Sequence, residues 1–210
     1  GNVAIGFEAL KTEDANGDNV AVGYQALKTL NAGADAFNTA IGYTAGTAMT
    51  TGVRHVLIGG LAGKALTSGD KNIAIGYSAL KADTLGSRSV AIGHDALQAQ
   101  NFTTATTAYN VAVGEAAGQV ITTGTVNTLI GALAGDSLTD ADNNVAVGGG
   151  ALITDTLGSK TVAIGTDALS AQNFTTATDS FNTAVGYRAG VAVTTATSNN
   201  LIGGLAGDAL

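Results

Sequence analysis

The chain has 210 residues, a net charge of −7, 30 glycines and neither cysteine nor proline. The lack of cysteine excludes disulfides and thiolate metal sites, and nine basic residues scattered along an acidic chain argue against nucleic-acid binding. No run of 18 apolar residues occurs, so we expect no membrane insertion of this segment. Small apolar residues greatly outnumber aromatic ones, which is unusual for a conventional globular core.

A short motif, Asn-Val-Ala-Ile/Val-Gly-x-x-Ala-Leu/Gly, recurs from one end of the chain to the other. Its glycine, called the repeat glycine below, stands at 6, 23, 42, 59, 76, 93, 114, 131, 148, 165, 186 and 203. Ile or Val precedes each repeat glycine and Ala follows three residues later. Asn stands four residues before it except at His55, Ser89 and Thr161. Most copies follow one another with a 17-residue period, which predicts one motif per turn of a solenoid.

Each motif has the pattern of a short β-strand followed by a turn. In the second copy Val20 and Val22 share one face of the strand and Ala21 takes the other. Gly23 is expected to adopt a backbone conformation closed to other residues, and Asn19 to bond neighbouring backbone or to stack in an amide ladder. The sequence therefore predicts an all-β fold, a parallel β-roll or β-solenoid of about twelve 17-residue rungs. The representative structural residues are Asn19, Val20, Val22, Gly23, Ala26, Asn72, Ile75, Gly76 and Ala79.

A longer period is superimposed on the rung. Two residues before the repeat glycine Ala is replaced by Leu57, Leu129 and Leu201, which recur with a 72-residue period. We interpret residues 1–210 as a single repeat array with a four-rung, 72-residue superrepeat. The longer connections at 100–109 and 172–181 are predicted to be bulges or hairpin-like flaps. Because both ends lie inside a motif, we expect the chain to be a fragment of a longer fibre protein.

One 17-residue rung encloses little volume, so one side of the roll is expected to stay apolar and exposed. Association with other chains would bury that side. We favour an intertwined or side-by-side homotrimeric fibre, although the composition does not itself show the number three. A monomeric rod is the alternative.

The motif at residues 72–80, Asn-Ile-Ala-Ile-Gly-Tyr-Ser-Ala-Leu, resembles the repeats of bacteriophage tail fibres and the head repeats of trimeric autotransporter adhesins. The adhesin heads are left-handed parallel β-rolls that assemble as interlocked trimers. The resemblance implies the structural shaft or head segment of a trimeric viral tail fibre that mediates host-cell attachment. The alternative is the head of a bacterial surface adhesin that binds host or matrix. The implied partner is a host-surface glycan or protein receptor, and the implied location is a virion tail fibre or the cell surface.

The polar residues do not form a pattern that indicates catalysis. No carboxylate pair recurs on consecutive rungs, and neither histidine has a nucleophile partner in the pattern. We therefore expect no enzyme, no catalytic residue and no cofactor. The alternating Asp14, Asn16 and Asp18 resemble part of a calcium loop, which makes Ca²⁺ a weak alternative to solvated turn residues.

Aromatic residues are the candidates for surface recognition. Tyrosines follow several repeat glycines, and stacking between rungs or between chains is the competing interpretation. The other aromatic candidates belong to the two long connections. The full set is Tyr24, Tyr43, Tyr77, Tyr187, Phe102, Tyr109, Phe174 and Phe181. An ice-binding solenoid is less well supported, because the threonines cluster in the long connections and do not recur once per rung.

Overall fold

A computed structural model describes residues 1–13 and 17–209. The chain forms two compact units, Gly1–Tyr109 and Asn110–Leu210. The strands of the first unit are β1 Val3–Ile5, β2 Val20–Val22, β3 Thr39–Ile41, β4 Val56–Ile58, β5 Ile73–Ile75, β6 Gly86–Ser87, β7 Val90–Ile92 and β8 Thr106–Thr107. Those of the second unit are β9 Val111–Val113, β10 Thr128–Ile130, β11 Val145–Val147, β12 Gly158–Ser159, β13 Val162–Ile164, β14 Thr178–Asp179, β15 Thr183–Val185 and β16 Asn200–Ile202.

Every motif strand pairs in parallel with the motif strand of a neighbouring turn. In the first unit the order is β1-β2-β3-β4-β5-β7, and in the second it is β9-β10-β11-β13-β15-β16. The pairing keeps the motif in register, as where Val3 faces Val20 and Ala4 faces Ala21. The predicted all-β parallel β-solenoid of about twelve turns, most of them with the 17-residue period, is therefore confirmed.

The two faces of each motif strand have different surroundings. Positions are numbered here from the repeat glycine, so that Ala21 lies at −2 of Gly23. Ala21, Ala26 and Leu27, at −2, +3 and +4, are fully buried. Val20 and Val22, at −3 and −1, are half-buried. The small side chain therefore points into the thin coil, where little room exists, and the β-branched side chains cover the outside of the sheet.

The repeat glycines occupy a conformation that other residues rarely adopt. Gly76 has a φ of +135°, and a Cβ built on it would lie 2.3 Å from the carbonyl oxygen of Gly93 on the next turn. The glycine N–H donates in the opposite direction, to Ile58 O at 2.8 Å. Close stacking of one backbone on the next thus excludes any side chain at this position.

The asparagines at −4 form a buried ladder along each unit. Asn19 Oδ1 accepts the backbone N–H of Asn38 at 3.0 Å. Asn38 Oδ1 then accepts the N–H of His55 at 2.9 Å, and Asn38 Nδ2 donates to Gly52 O at 2.9 Å. Each side chain therefore satisfies backbone groups of the next turn that would otherwise be buried without partners.

We predicted bulges or hairpin-like flaps for the long connections, and the structure shows bulges whose ends pair with the preceding turn. Thr106–Thr107 pairs in parallel with Gly86–Ser87, and Thr178–Asp179 pairs with Gly158–Ser159. The connection is anchored at its start by the buried Asp83, which accepts Gln100 Nε2 at 2.6 Å and the N–H of Phe102 at 3.1 Å. Only residues 103–105 and 175–177 form continuously exposed stretches within these connections.

Candidate interaction surface

The predicted repeat residues lie where a scaffold requires them. Asn19, Asn72, Ala26, Ala79, Leu57 and Leu129 are fully buried, while Leu201 is half-buried. Val20, Val22 and Ile75 are half-buried on the outer side of the sheet. These residues build and pack the turns, and the outer side chains also form a surface.

The outer side of the sheet is an uncharged surface in each unit. The first unit has Val or Ile at every −3 and −1 position except Thr39, and the second has the same residues except Thr128, Thr183 and Asn200. None of these side chains is buried, and the most exposed lie at the outer strands, with Ile5 60% and Ile202 76% exposed. We call this surface the Val/Ile face. An uncharged, largely apolar surface of this kind is typical of an interaction site.

The aromatic residues at +1 form short stacks on the surface of the first unit. Tyr24 lies between Phe7 and Tyr43, with ring centroids 5.4 and 5.3 Å apart and nearly parallel planes. Tyr77 stacks in the same way on His94 at 5.5 Å. Because one ring follows the next at the spacing of the turns, part of each tyrosine face is used for packing within the chain.

Tyr187 lies on the surface without an aromatic neighbour at the same position of the adjacent turns. The residues there are Thr166 and Gly204. Tyr24, Tyr43, Tyr77 and Tyr187 remain 42, 59, 54 and 56% exposed. About half of each of these residues is therefore accessible to a partner.

Two of the aromatic candidates lie in the interior instead of on the surface. Phe102 and Phe174 are only 5 and 6% exposed. They are held there because Asp83 and Asp155 accept their backbone N–H groups at 3.1 and 3.0 Å. A polar anchor that draws the start of the connection inward also draws in the adjacent ring. The expectation of surface recognition by Phe102 and Phe174 is therefore corrected.

Tyr109 and Phe181, at the ends of the same connections, are exposed as a recognition residue would be. They are 52 and 56% exposed, and each stands at −5, directly before the asparagine ladder. A cation lies over each ring: Arg88 Cζ is 5.6 Å from the centroid of Tyr109, and Lys160 Nζ is 5.4 Å from that of Phe181. Both geometries are within the range of a cation–π contact.

Position −5 carries charged residues that the sequence reading did not single out. In the first unit Arg54, Lys71 and Arg88 occupy it on three successive turns, between Phe37 and Tyr109. All five are exposed. The signal was available in the sequence, since aligning the turns on the repeat glycine places these residues in one column.

The weak calcium candidates lie only partly within the described residues. Asp14 and Asn16 lie outside the described residues. Asp18 is exposed. Within residues 1–13 and 17–209 no group of three or more His, Asp or Glu side chains is arranged to hold a metal ion.

His55 is a buried member of the asparagine ladder. Its Nε2–H donates to Gly69 O at 2.6 Å and its Nδ1 accepts the N–H of Asn72 at 3.2 Å, so the ring is neutral. Burial lowers the pKa of His55 below its usual value, against the opposing effects of the Gly69 carbonyl and Asp70. In the ladder, Nδ1 of the imidazole accepts as the Oδ1 of an asparagine does, and Nε2–H donates as its Nδ2 does.

No protein-family model matches this chain, and neither the curated proteins nor the solved structures include one with significant similarity to it. In the described part of the chain no helix is long and apolar enough to cross a membrane.

Proposed function

We propose that the chain is a structural, non-catalytic shaft or head segment of a trimeric viral tail fibre that mediates attachment to a host cell. The Val/Ile face carries the proposal. It is uncharged in both units and its side chains are left half-exposed by a single chain. Burial of such β-branched side chains against copies of the same face would stabilise an assembly by about 25 cal/mol for each Å² of apolar area.

Copies of this chain are the occupants that best fit the Val/Ile face. The repeated motif presents similar residues along each unit, so successive turns offer equivalent contacts to a second and third copy placed alongside. A rod stabilised in this way suits a fibre that projects a binding surface from a virion. In this proposal the partners of each chain are two further copies of itself and a host-surface glycan or protein receptor, and no cofactor is involved.

The head of a bacterial trimeric adhesin is the second candidate. The Asn-x-Ala-Ile-Gly core, as in residues 72–76, is common to both resemblances. The two proposals differ in what the complete gene would encode: a tip or chaperone domain for a tail fibre, or a coiled-coil stalk and membrane anchor for an adhesin.

The molar mass in solution tests the assembly. Multi-angle light scattering is expected to give about three times the chain mass of 20.5 kDa. The double variant Ile58→Lys/Ile75→Lys places two charges on the Val/Ile face and is expected to give monomers. Val126→Lys adds a charge at position −5, outside that face, and should keep the trimer. A wild-type mass of 20.5 kDa would contradict the proposal.

A further inference from the structure

The residues at position −5 of the first unit form an ordered row, which we call the cationic row. It consists of Phe37, Arg54, Lys71, Arg88 and Tyr109. The backbone fixes the register of its cations, because Arg54 N–H donates to Ala36 O at 2.7 Å, and the N–H groups of Lys71 and Arg88 donate to Val53 O and Asp70 O at 3.0 Å. Successive cations therefore emerge at the strand spacing of about 4.8 Å.

The backbone does not favour these side chains at this position. Arg54, Lys71 and Arg88 have φ values of 62°, 59° and 60°, in the left-handed region. Glycine, Asn and Asp adopt that region most readily, and Asn143 and Asp18 do occupy the same position elsewhere. The same conformation recurs at −5 in both units, as at Phe37 (54°), Val126 (59°) and Ser198 (61°), so it belongs to the repeat turn. What distinguishes Arg54, Lys71 and Arg88 is their charge on three consecutive turns.

The second unit provides an internal comparison at the 72-residue offset. Arg54 and Lys71 correspond to Val126 and Asn143, while Arg88 corresponds to Lys160. Lys160 forms an ion pair with Asp179, and the residue equivalent to Asp179 in the first unit is Thr107. The superrepeat preserves the scaffold in both units but gives a row of cations to the first alone.

The cations of the row have little internal neutralisation. Among the described residues none of Arg54, Lys71 and Arg88 lies within 4.0 Å of a carboxylate oxygen. Asp70, which precedes Lys71, is half-buried and its Oδ1 accepts the N–H of Val53 at 3.0 Å. Arg88 donates from Nη1 to the hydroxyl of Tyr109 at 2.8 Å, a neutral partner. The row therefore keeps a local positive charge on a chain whose net charge is −7.

We infer that the cationic row binds a linear anionic polysaccharide, one that carries carboxylates or sulfates along its length. Arginine and lysine on successive turns would pair with these groups, and guanidinium groups can do so through two parallel hydrogen bonds. Phe37 and Tyr109 at the two ends are 52% exposed each. Phe37 offers a ring face to the apolar face of a sugar unit, and Tyr109 offers the face that Arg88 does not cover. The inference rests on the proposed attachment role and gives that role a ligand class.

A nucleic acid fits the row less well than a glycan. Double-stranded DNA carries one negative charge per about 1.7 Å of its axis, a denser charge than one cation per turn can match. Beyond the row, a long and densely charged polyanion would be repelled by the acidic chain. A glycan with charges spaced by one or two sugar units has a lower charge density, and it also uses the terminal aromatic rings.

The binding test uses immobilised wild-type chain with polygalacturonate, κ-carrageenan (one sulfate per two sugar units) and neutral dextran as probes. We expect binding of at least one charged probe, weakening as salt is raised, and no binding of neutral dextran. The variant Arg54→Val/Lys71→Asn carries the residues of the second unit and is expected to bind about tenfold or more weakly, since a charge-assisted contact contributes on the order of 1.4 kcal/mol, one decade in Kd. The two charged probes distinguish carboxylate from sulfate recognition.

Two further variants sharpen the test. Lys160→Ala removes the equivalent cation of the second unit and should leave binding unchanged. Asp70→Asn keeps an oxygen acceptor for the N–H of Val53 but removes the negative charge beside Lys71, so it should bind the charged probe more tightly. The inference is overturned if Arg54→Val/Lys71→Asn binds like wild type, if neutral dextran binds equally, or if linear polyphosphate binds as tightly as the charged glycans. Light scattering on the same samples reports the trimer separately, so failure of assembly is distinguishable from failure of binding.

Discussion

A Cβ atom on Gly63 would lie 2.8 Å from Cδ2 of Leu57, so the leucine occupies the space that a side chain at Gly63 would need. A Cβ on Gly46, one turn earlier, would meet Cδ1 of the same leucine at 2.8 Å. Most other turns have Ala at −2 and Leu at +4, as with Ala74 and Leu80. One leucine in the strand thus replaces the volume of two turn leucines, which explains why the 72-residue period is marked by Leu57, Leu129 and Leu201.

This relationship predicts compensation between two sites. Leu57→Ala alone should lower the free energy of unfolding by about 2–5 kcal/mol, because it leaves a cavity between two glycines. Gly63→Leu alone should cost about 1–3 kcal/mol by overpacking. The double variant recreates the usual Ala and Leu pair, and Leu80 shows that leucine tolerates a similar backbone, with φ of 52° against 55° at Gly63.

Urea unfolding of the four proteins in this cycle measures the coupling. The double variant is expected to lose about 1–3 kcal/mol less free energy of unfolding than the two single losses added together. Additive losses would show that Leu57 does not fill the space at Gly63.

His55 predicts a loss of stability in mild acid. Its pKa in the folded state is lowered by burial, so the unfolded chain binds a proton first as the pH falls. The contribution is fully present above the unfolded pKa of about 6.5 and is lost as the pH falls below it, by up to about 1.4 kcal/mol per pH unit. His55→Asn supplies the same acceptor and donor without a titrating group and should remove this pH dependence.

Chemical denaturation between pH 7.5 and pH 5 measures the effect of His55. The control is His94→Asn, which changes an exposed histidine and should leave the acid sensitivity in place. Equal sensitivity in wild type and His55→Asn would contradict the role of the imidazole.

The contact between Gln100 and Asp83 predicts a pH dependence of stability of opposite sign in the variant Gln100→Glu, which should become more stable as the pH falls. Gln100→Glu preserves the shape but places a carboxylate where Nε2 now lies 2.6 Å from Asp83 Oδ2, in a buried site. Burial already raises the pKa of Asp83. A second buried carboxylate raises it further, so the variant should lose about 3 kcal/mol or more at pH 7. Stability returns as the pH falls through the raised folded pKa, because the folded state then takes up the proton that relieves the repulsion.

The surface pair Gln98 and Asp95 is the matched control for Gln100→Glu. Gln98 Nε2 also donates to a carboxylate, that of Asp95, but both side chains are only half-buried. Gln98→Glu should therefore cost about 1 kcal/mol or less. If both variants lose the same free energy of unfolding at pH 7, burial is not the source of the effect at Asp83.

The period of the sequence was enough to predict the motif strands, their parallel stacking and the place of the asparagine ladder, but not the short strands β6, β8, β12 and β14. Each of these features is determined by the residues of one turn and recurs in every turn. A substitution in one copy of the motif, such as His55, therefore does not obscure the pattern. The buried polar pair could not be predicted in this way. Asp83 and Gln100 stand at +7, where Leu30 and Leu66 are core residues. From the sequence alone, a polar residue at this position is equally compatible with a location on the surface. Their burial depends on the hydrogen bonds that draw Phe102 inward, which no spacing reveals.

The interaction surfaces were predictable to different degrees. An exposed apolar side follows from the small volume of a 17-residue turn, but which side chains form it depends on the inward direction of Ala21. The cationic row was hidden because Arg54, Lys71 and Arg88 are separated by the full 17-residue period and belong to the variable part of the motif. Aligning the turns on the repeat glycine places them in one column, and the in-register pairing of the motif strands turns that column into a row.

The repeat glycine gives the last prediction. Gly76→Ala places a methyl group 2.3 Å from the carbonyl oxygen of Gly93 and forces alanine to a φ of +135°. The contact cannot relax without separating two turns, so the free energy of unfolding should fall by about 3 kcal/mol or more. Gly203→Ala is the control, because Gly203 is also a repeat glycine with a similar φ, +126°, but a Cβ there meets nothing within 4 Å. It should lose only the cost of the backbone conformation, about 1–3 kcal/mol, and so less than Gly76→Ala. Similar losses of stability in thermal unfolding of the two variants would show that backbone conformation alone, and not the close approach of the turns, selects glycine at this position.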